Sequence, residues 1–169
     1  METQETIINR VAQSGLITLN LENYFPQMPI ATFDIKDFLF MGLILKEKEF
    51  RAALKEHDWM QYKQKNVAIL CSADAIVPYW AYMLIAGYLE PVAAAFICGS
   101  NDALLSHLYL KNLAAINLDE FRDKRVVVKG CGDKPVPPAA YTEITRLLKP
   151  IVKSLMYGEP CSTVPILKN

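Results

Sequence analysis

Residues 67–74 read Val-Ala-Ile-Leu-Cys-Ser-Ala-Asp, and this stretch decides the fold that the sequence predicts. Four apolar residues in a row are typical of a strand that is buried on both faces. The serine and the aspartate after them are residue types that begin helices, and an apolar helix over 76–89 is expected next. A buried strand that leads through a short turn into a helix predicts a βαβ unit with parallel strands.

Two further strand–turn–helix units follow along the chain: 93–98, 99–102 and 103–116, then 126–128, 130–138 and 139–157. The last helix begins at prolines, which suit a first helical turn, and we expect Pro150 to kink it. A succession of such units predicts a mostly parallel sheet that helices cover on both faces.

The part of the chain before these units is less regular. It is interpreted as a helical turn at 7–11, strands at 16–19 and 30–35, and a helix at 47–59. The apolar run at 38–45 fits a strand or a helix, and we favour a strand. We expect the early strands to pair antiparallel beside the parallel ones. The predicted fold class is therefore α/β, a single three-layer domain over 1–169 with an irregular N-terminal segment (1–29) and a C-terminal tail (158–169). We find no internal repeat.

The composition excludes two classes of protein. With 52% hydrophobic and 21% charged residues, this chain of 169 residues is too apolar to be disordered and long enough for one domain. Its 18 basic residues are balanced by 18 acidic ones and are scattered among them, so no nucleic-acid partner is expected.

Neither a membrane span nor an export signal is expected. The apolar stretch 77–99 is interrupted at Leu89-Glu90-Pro91, and each piece is shorter than the ~20 residues that cross a bilayer. The N-terminus has no basic segment followed by an apolar run, as a secretory signal would. The four cysteines are then expected to be reduced thiols, and the protein to be cytoplasmic.

The helix expected at 76–89 is apolar nearly all round, with Trp80, Tyr82 and Met83 among its side chains. Such a helix is either fully buried or part of a subunit interface. The second alternative predicts a homodimer, and the sequence leaves both open.

The candidate site lies where the predicted strands end. In open α/β sheets ligands bind outside the carboxyl ends of the strands, and parallel strands bring these ends to one edge. The expected ligand-binding residues at this edge are Cys71, Ser72, Asp74, Ser100, Cys131 and Asp133.

Thiols at this edge suggest a metal site. Cys71 and Cys131 would supply thiolates to zinc or iron, Cys161 would join them if the tail folds back, and Asp74 or His57 would complete the shell. No pair of cysteines is spaced as a local metal motif, so this hypothesis depends on the fold. Our leading hypothesis is an accessory protein that binds a metal or a sulfur-containing intermediate.

Two other functions stay open. Cys71 directly precedes a helix, whose N-terminus favours a thiolate, and it could be the nucleophile of a small-molecule enzyme. That reaction needs a base, and the only imidazoles are those of His57 and His107. The third hypothesis is a structural module that binds a partner through Trp80 and Tyr82.

Five long segments of the chain resemble one family. They are Ile7-Ile8-Asn9-Arg10-Val11-Ala12, Phe33-Asp34-Ile35-Lys36-Asp37, Cys71-Ser72-Ala73-Asp74-Ala75-Ile76-Val77-Pro78, Trp80-Ala81-Tyr82-Met83 and Lys153-Ser154-Leu155-Met156-Tyr157-Gly158-Glu159-Pro160-Cys161-Ser162. They are similar to the uncharacterised bacterial proteins grouped as domain of unknown function 2480. The resemblance implies no defined activity. It implies iron–sulfur assembly proteins as partners, because genes of this family lie near iron–sulfur assembly genes.

Overall fold

The computed structural model describes residues 15–159 and 161–168. Within these ranges the chain forms seven strands and four α-helices: β1 (Leu16–Asn20), β2 (Ile30–Asp34), α1 (Glu47–Glu56), β3 (Asn66–Leu70), α2 (Tyr79–Leu89), β4 (Ala95–Cys98), α3 (Asn101–Leu113), β5 (Arg125–Lys129), α4 (Pro138–Leu148), β6 (Ser154–Glu159) and β7 (Ser162–Lys168). The α/β class is confirmed. The helical turn expected at 7–11 lies outside the described residues.

The chain divides into two units, each with its own sheet. Unit 1 comprises Met1–Phe25 and Tyr109–Asn169, and unit 2 comprises Pro26–Leu108. The sheet of unit 1 has the strand order β1-β5-β6-β7, and the sheet of unit 2 has the order β2-β3-β4. The assignment of the whole chain to a single domain stays a prediction.

Both sheets are largely parallel, as expected, but the antiparallel strand is not where the sequence analysis placed it. The N-terminal strands β1 and β2 pair parallel to β5 and β3. The antiparallel pair is β6 with β7. Long connections that include helices return the chain in its original direction, whereas the two residues between β6 and β7 permit a hairpin. The expectation for the early strands is therefore wrong.

Two predicted elements differ from the structure at residues that break regular backbone. The helix expected over 139–157 ends at Leu148, and β6 begins at Ser154, because Pro150 cannot donate the next helical hydrogen bond. Residues 162–168 of the expected tail form β7. The strand expected at 38–45 is also wrong. It is a tight turn closed by a bridge between Phe40 and Ile44, with positive φ at Met41 and Gly42.

The two units repeat one arrangement. Each starts with a strand and a short 3-10 helix, and continues, after other segments, with a strand, an α-helix and a parallel strand. In unit 1, Arg125 is the register partner of Leu16 and Ser154; in unit 2, Asn66 is the partner of Ile30 and Ala95.

The sequence carries the same repeat. Residues 58–100 align without a gap with residues 117–159, which matches Tyr82 to Tyr141 and Gly99 to Gly158. Both glycines adopt positive φ, 150° and 122°. The expectation of no internal repeat is therefore wrong. The repeat is hard to detect in the sequence for two reasons. Matched strand positions mostly share burial rather than residue type, and β1 is separated along the chain from the rest of its unit.

Helix α2 is buried on one face only. Ala81, Ile85 and Leu89 are in the core of unit 2, whereas Tyr79 and Met83 are 88% and 74% exposed. The alternative of a fully buried helix is therefore wrong, and the homodimer stays a prediction. Among the described residues, none of the helices combines the length and the apolar character that crossing a membrane requires.

Candidate ligand-binding site

The predicted site residues fall into two groups that belong to different sheets. Cys71 and Ser72 follow β3 and Ser100 follows β4, all in unit 2. Cys131 and Asp133 follow β5 in unit 1. The expectation of a common sheet edge is wrong, because it assumed that β3, β4 and β5 were neighbours in one sheet.

The part of the chain that the structure describes does not bring the predicted thiols together with further metal ligands. Within 15–159 and 161–168, no group of three or more histidine, cysteine, aspartate or glutamate side chains is arranged to hold a metal ion. Cys161 lies exposed between β6 and β7 in unit 1, and Cys71 lies in unit 2. The hypothesis of zinc or iron on Cys71, Cys131 and Cys161 therefore has no ligand set in this part of the chain.

The polar groups at the edge of unit 2 mostly bind one another. Asp34, which the sequence analysis missed, accepts hydrogen bonds from the backbone N–H groups of Ser72 and Lys36, each at 3.0 Å. Partial burial raises the pKa of the Asp34 carboxyl, but these hydrogen bonds and that of the Ser72 hydroxyl outweigh it, and the pKa is lowered. Ser100 Oγ accepts from the N–H of Ala103 and caps α3. These residues stabilise turns.

The hydrogen bond that the structure gives Cys71 is with a backbone carbonyl and not with an imidazole. Cys71 Sγ lies 3.5 Å from the carbonyl oxygen of Ala73. His57 Nε2 lies 3.4 Å from the hydroxyl of Tyr62 and 3.3 Å from Nε2 of Gln61. Burial lowers the pKa of His57, against the opposing effect of Asp58. The His57 ring packs against four aromatic rings of unit 2, those of Phe33, Phe38, Trp59 and Tyr62.

Unit 1 contains a cavity of about 490 Å³ at the carboxyl end of β5. Strands β5 and β6, helix α4 and strand β7 contribute to its wall, which consists of Val128, Gly130, Cys131, Val136, Tyr141, Thr145, Leu155, Met156, Tyr157 and Ile166. The lining is mostly apolar and contains no charged side chain. A cavity of this size suits a small organic molecule.

A thiol, two phenols and the Thr145 hydroxyl, which donates to the carbonyl oxygen of Tyr141, form the polar part of this wall. Cys131 Sγ lies 2.8 Å from the hydroxyl of Tyr157, and the rings of Tyr141 and Tyr157 meet edge to face at 5.8 Å. Burial raises the pKa of Tyr141 to about 12, with a further contribution from Cys131. The hydrogen bond with Cys131 raises the pKa of Tyr157. Both phenols therefore keep their protons at neutral pH and can donate hydrogen bonds.

A smaller cleft of about 100 Å³ adjoins the cavity, and Gly130 and Cys131 line both. The other residues of the cleft are polar or small: Asn20, Glu22, Lys129, Gly132 and Glu159. A Cβ atom on Gly130 would lie 2.6 Å from the Tyr141 hydroxyl, and one on Gly132 would overlap the Glu22 carboxylate. The glycines on either side of Cys131 therefore let the loop approach both groups.

Three residues of this site were missed by the sequence analysis. Tyr141 and Tyr157 were assigned to one long helix, whereas Tyr141 lies in α4 and Tyr157 in β6, where their rings are in contact. Glu22 was assigned to the irregular N-terminal segment. The internal repeat is the signal that could have indicated the tyrosine pair. It matches Tyr141 to Tyr82 and Tyr157 to Cys98, so two side chains that meet in one unit have their counterparts at the same positions of the other. In unit 2, burial raises the pKa of Tyr82, with contributions from Cys98 and Cys71.

Comparison with known proteins identifies one family. The family model described as "Protein of unknown function (DUF2480)" matches residues 5–169. None of the curated proteins and none of the solved structures matches the chain.

Proposed function

We propose that this chain, which belongs to the family of proteins of unknown function DUF2480, binds a small molecule with an apolar body in the cavity of unit 1. The observation that carries the proposal is the meeting of an exposed thiol and two phenols at an apolar cavity of about 490 Å³. The apolar body occupies the cavity, and a polar end lies at Cys131.

The lining explains the preference for an apolar body. Val128, Leu155 and Ile166 come from three neighbouring strands, and Val136 and Thr145 face them from the segment that includes α4. A molecule in the cavity removes its own apolar surface and the exposed part of Ile166 from water, which stabilises the complex by roughly 25 cal/mol per Å². Because no charged side chain lines this cavity, a charge placed deep inside it would lose its hydration without a partner.

The protonated state of the two phenols favours a role in binding a ligand over a role in proton abstraction. Since the pKa values of Tyr141 and Tyr157 are raised, both hydroxyls stay protonated and donate to an acceptor, on the ligand or on Cys131 Sγ. Neither phenol serves as a base that would activate the thiol at neutral pH.

Three expectations from the sequence stay predictions. They are a role in iron–sulfur assembly, iron–sulfur assembly proteins as partners, and a homodimer.

Octan-1-ol is a suitable neutral ligand to test this proposal by isothermal titration calorimetry. We expect one molecule to bind per chain, and Val136→Trp to weaken binding at least about tenfold, because the larger ring fills the cavity. Val164→Trp is the matched control, since Val164 is exposed on β7 and does not line the cavity.

Two results would contradict the proposal. One is the absence of octan-1-ol binding to the folded wild-type chain. The other is equal loss of affinity in Val136→Trp and Val164→Trp, which would show that binding does not involve the cavity. Thermal melting of each variant establishes that it is folded.

A further inference from the structure

The small cleft beside Cys131 carries an excess of negative charge. Its charged side chains are those of Glu22, Lys129 and Glu159. Lys129 Nζ lies 3.6 Å from Glu159 Oε2, so these two charges compensate each other. The charge of Glu22 is then left over in the cleft.

Glu22 is also short of hydrogen bonds. Its Oε1 atom is buried, and no hydrogen-bond partner for it exists among the described residues. A buried carboxylate oxygen without a partner costs free energy, and a cationic donor bound to the same carboxylate in the cleft would offset part of that cost.

We infer that the cleft holds the positively charged ammonium group of the ligand, with Glu22 as its partner. This inference rests on the proposed function, since the apolar body of the same molecule occupies the adjoining cavity. The ligand class is therefore an apolar amine, whose hydrocarbon part lies against Val128 and Leu155 and whose nitrogen passes Cys131 to reach Glu22.

The size and chemistry of the cleft favour this class over others. A volume of about 100 Å³ accommodates an ammonium group, given that a water molecule takes about 30 Å³ of liquid. A carboxylate or phosphate head would meet the like charge of Glu22, because Lys129 is already paired with Glu159. A divalent metal ion would need more ligands than the described residues bring together.

Three eight-carbon molecules with the same body test the head group: octylamine, octan-1-ol and octanoate. Octylamine is protonated at neutral pH, as a lysine side chain is. In calorimetry we expect octylamine to bind the wild-type chain about tenfold more tightly than octan-1-ol, because it gains one charge-assisted hydrogen bond. We expect octanoate to bind most weakly of the three.

Glu22→Gln should remove most of the preference for octylamine over octan-1-ol, because the amide that replaces the carboxylate carries no charge. Glu47→Gln is the matched control, because Glu47 lies in unit 2, pairs with Arg51 and should leave all three affinities unchanged. Gly132→Ala is a second variant with the same expected loss, since its Cβ would displace the Glu22 carboxylate.

The outcomes separate the two proposals. If octan-1-ol binds in the cavity and octylamine binds no more tightly, the ammonium inference is overturned and the cavity proposal stands. If none of the three binds the folded wild-type chain, both are overturned. A preference for octylamine that persists in Glu22→Gln and in Gly132→Ala would overturn the assignment to Glu22.

Discussion

At the residue scale, the account rests on three side chains that the fold brings together: Cys131, Tyr141 and Tyr157. The sequence predicts Cys131 as a site residue because it directly follows a buried strand and a glycine. Its partners could not be predicted in the same way. A tyrosine in an apolar context is compatible with a core position, and only the distance of 2.8 Å between the thiol and the Tyr157 hydroxyl identifies the pair.

The raised pKa of Tyr141 predicts a dependence of stability on alkaline pH. In the unfolded chain this phenol ionises near 10.0, but in the folded chain it keeps its proton up to about 12. The folded state therefore binds more protons in this window, and stability that is fully present below pH 10 is lost as pH rises toward 12. Tyr141→Phe should lose less stability over the same interval.

The size of this effect is limited. One whole proton corresponds to about 1.4 kcal/mol per pH unit, and we expect less because Tyr141 is only half-buried and is screened by solvent. Urea denaturation at a series of pH values measures the difference, and near neutral pH Tyr141 adds no pH dependence because it is protonated in both states. Identical slopes for wild type and Tyr141→Phe above pH 10 would contradict the assignment.

At the element scale, the sequence predicts most elements but misplaces several of their ends. The strands at β3, β4 and β5 and the helices after them follow from apolar runs and turn residues. The prediction of a helix over 139–157 was wrong because the amphipathic pattern continues past Pro150, whereas the helical backbone ends at Leu148. The hairpin of β6 and β7 was missed because the pattern of residues 154–168 fits more than one structure.

Gly158 shows how one residue supports this hairpin. It adopts φ of 122°, and a Cβ atom there would lie 2.5 Å from the backbone oxygen of Ser162. Gly158→Ala should therefore lower the free energy of unfolding by about 1–3 kcal/mol in urea denaturation. Gly87→Ala is the matched control in α2, where an added Cβ meets nothing within 4 Å. It should raise stability by roughly 0.5–1 kcal/mol. Equal effects of both substitutions would contradict this account of the turn.

At the scale of the whole molecule, the α/β class follows from the sequence but the division into two sheets does not. Local patterns show that Cys71 and Cys131 each follow a strand, yet they do not show which strands are neighbours. Strand β1 reaches β5 across more than a hundred intervening residues, and nothing in either segment identifies the other. The predicted thiol cluster depended on that missing information.

The repeat gives the two units a common plan with different contents. Where unit 1 has Leu155 at the cavity, unit 2 has the larger Phe96, which packs against its core. Where unit 1 has Tyr157 beside its thiol, unit 2 has Cys98. The same framework thus supports a lined cavity in one unit and a different set of side chains at the matching position of the other.

A ligand bound at the proposed site in unit 1 would cover Cys131, and alkylation of the thiols measures whether it does. Iodoacetamide labelling is followed at each cysteine by peptide mass spectrometry, with and without saturating octan-1-ol. Cys161, exposed in the same unit and not part of the cavity wall, is the internal control. The account predicts that octan-1-ol slows labelling of Cys131 severalfold and leaves Cys161 unchanged; equal rates at Cys131 with and without a saturating ligand would contradict it.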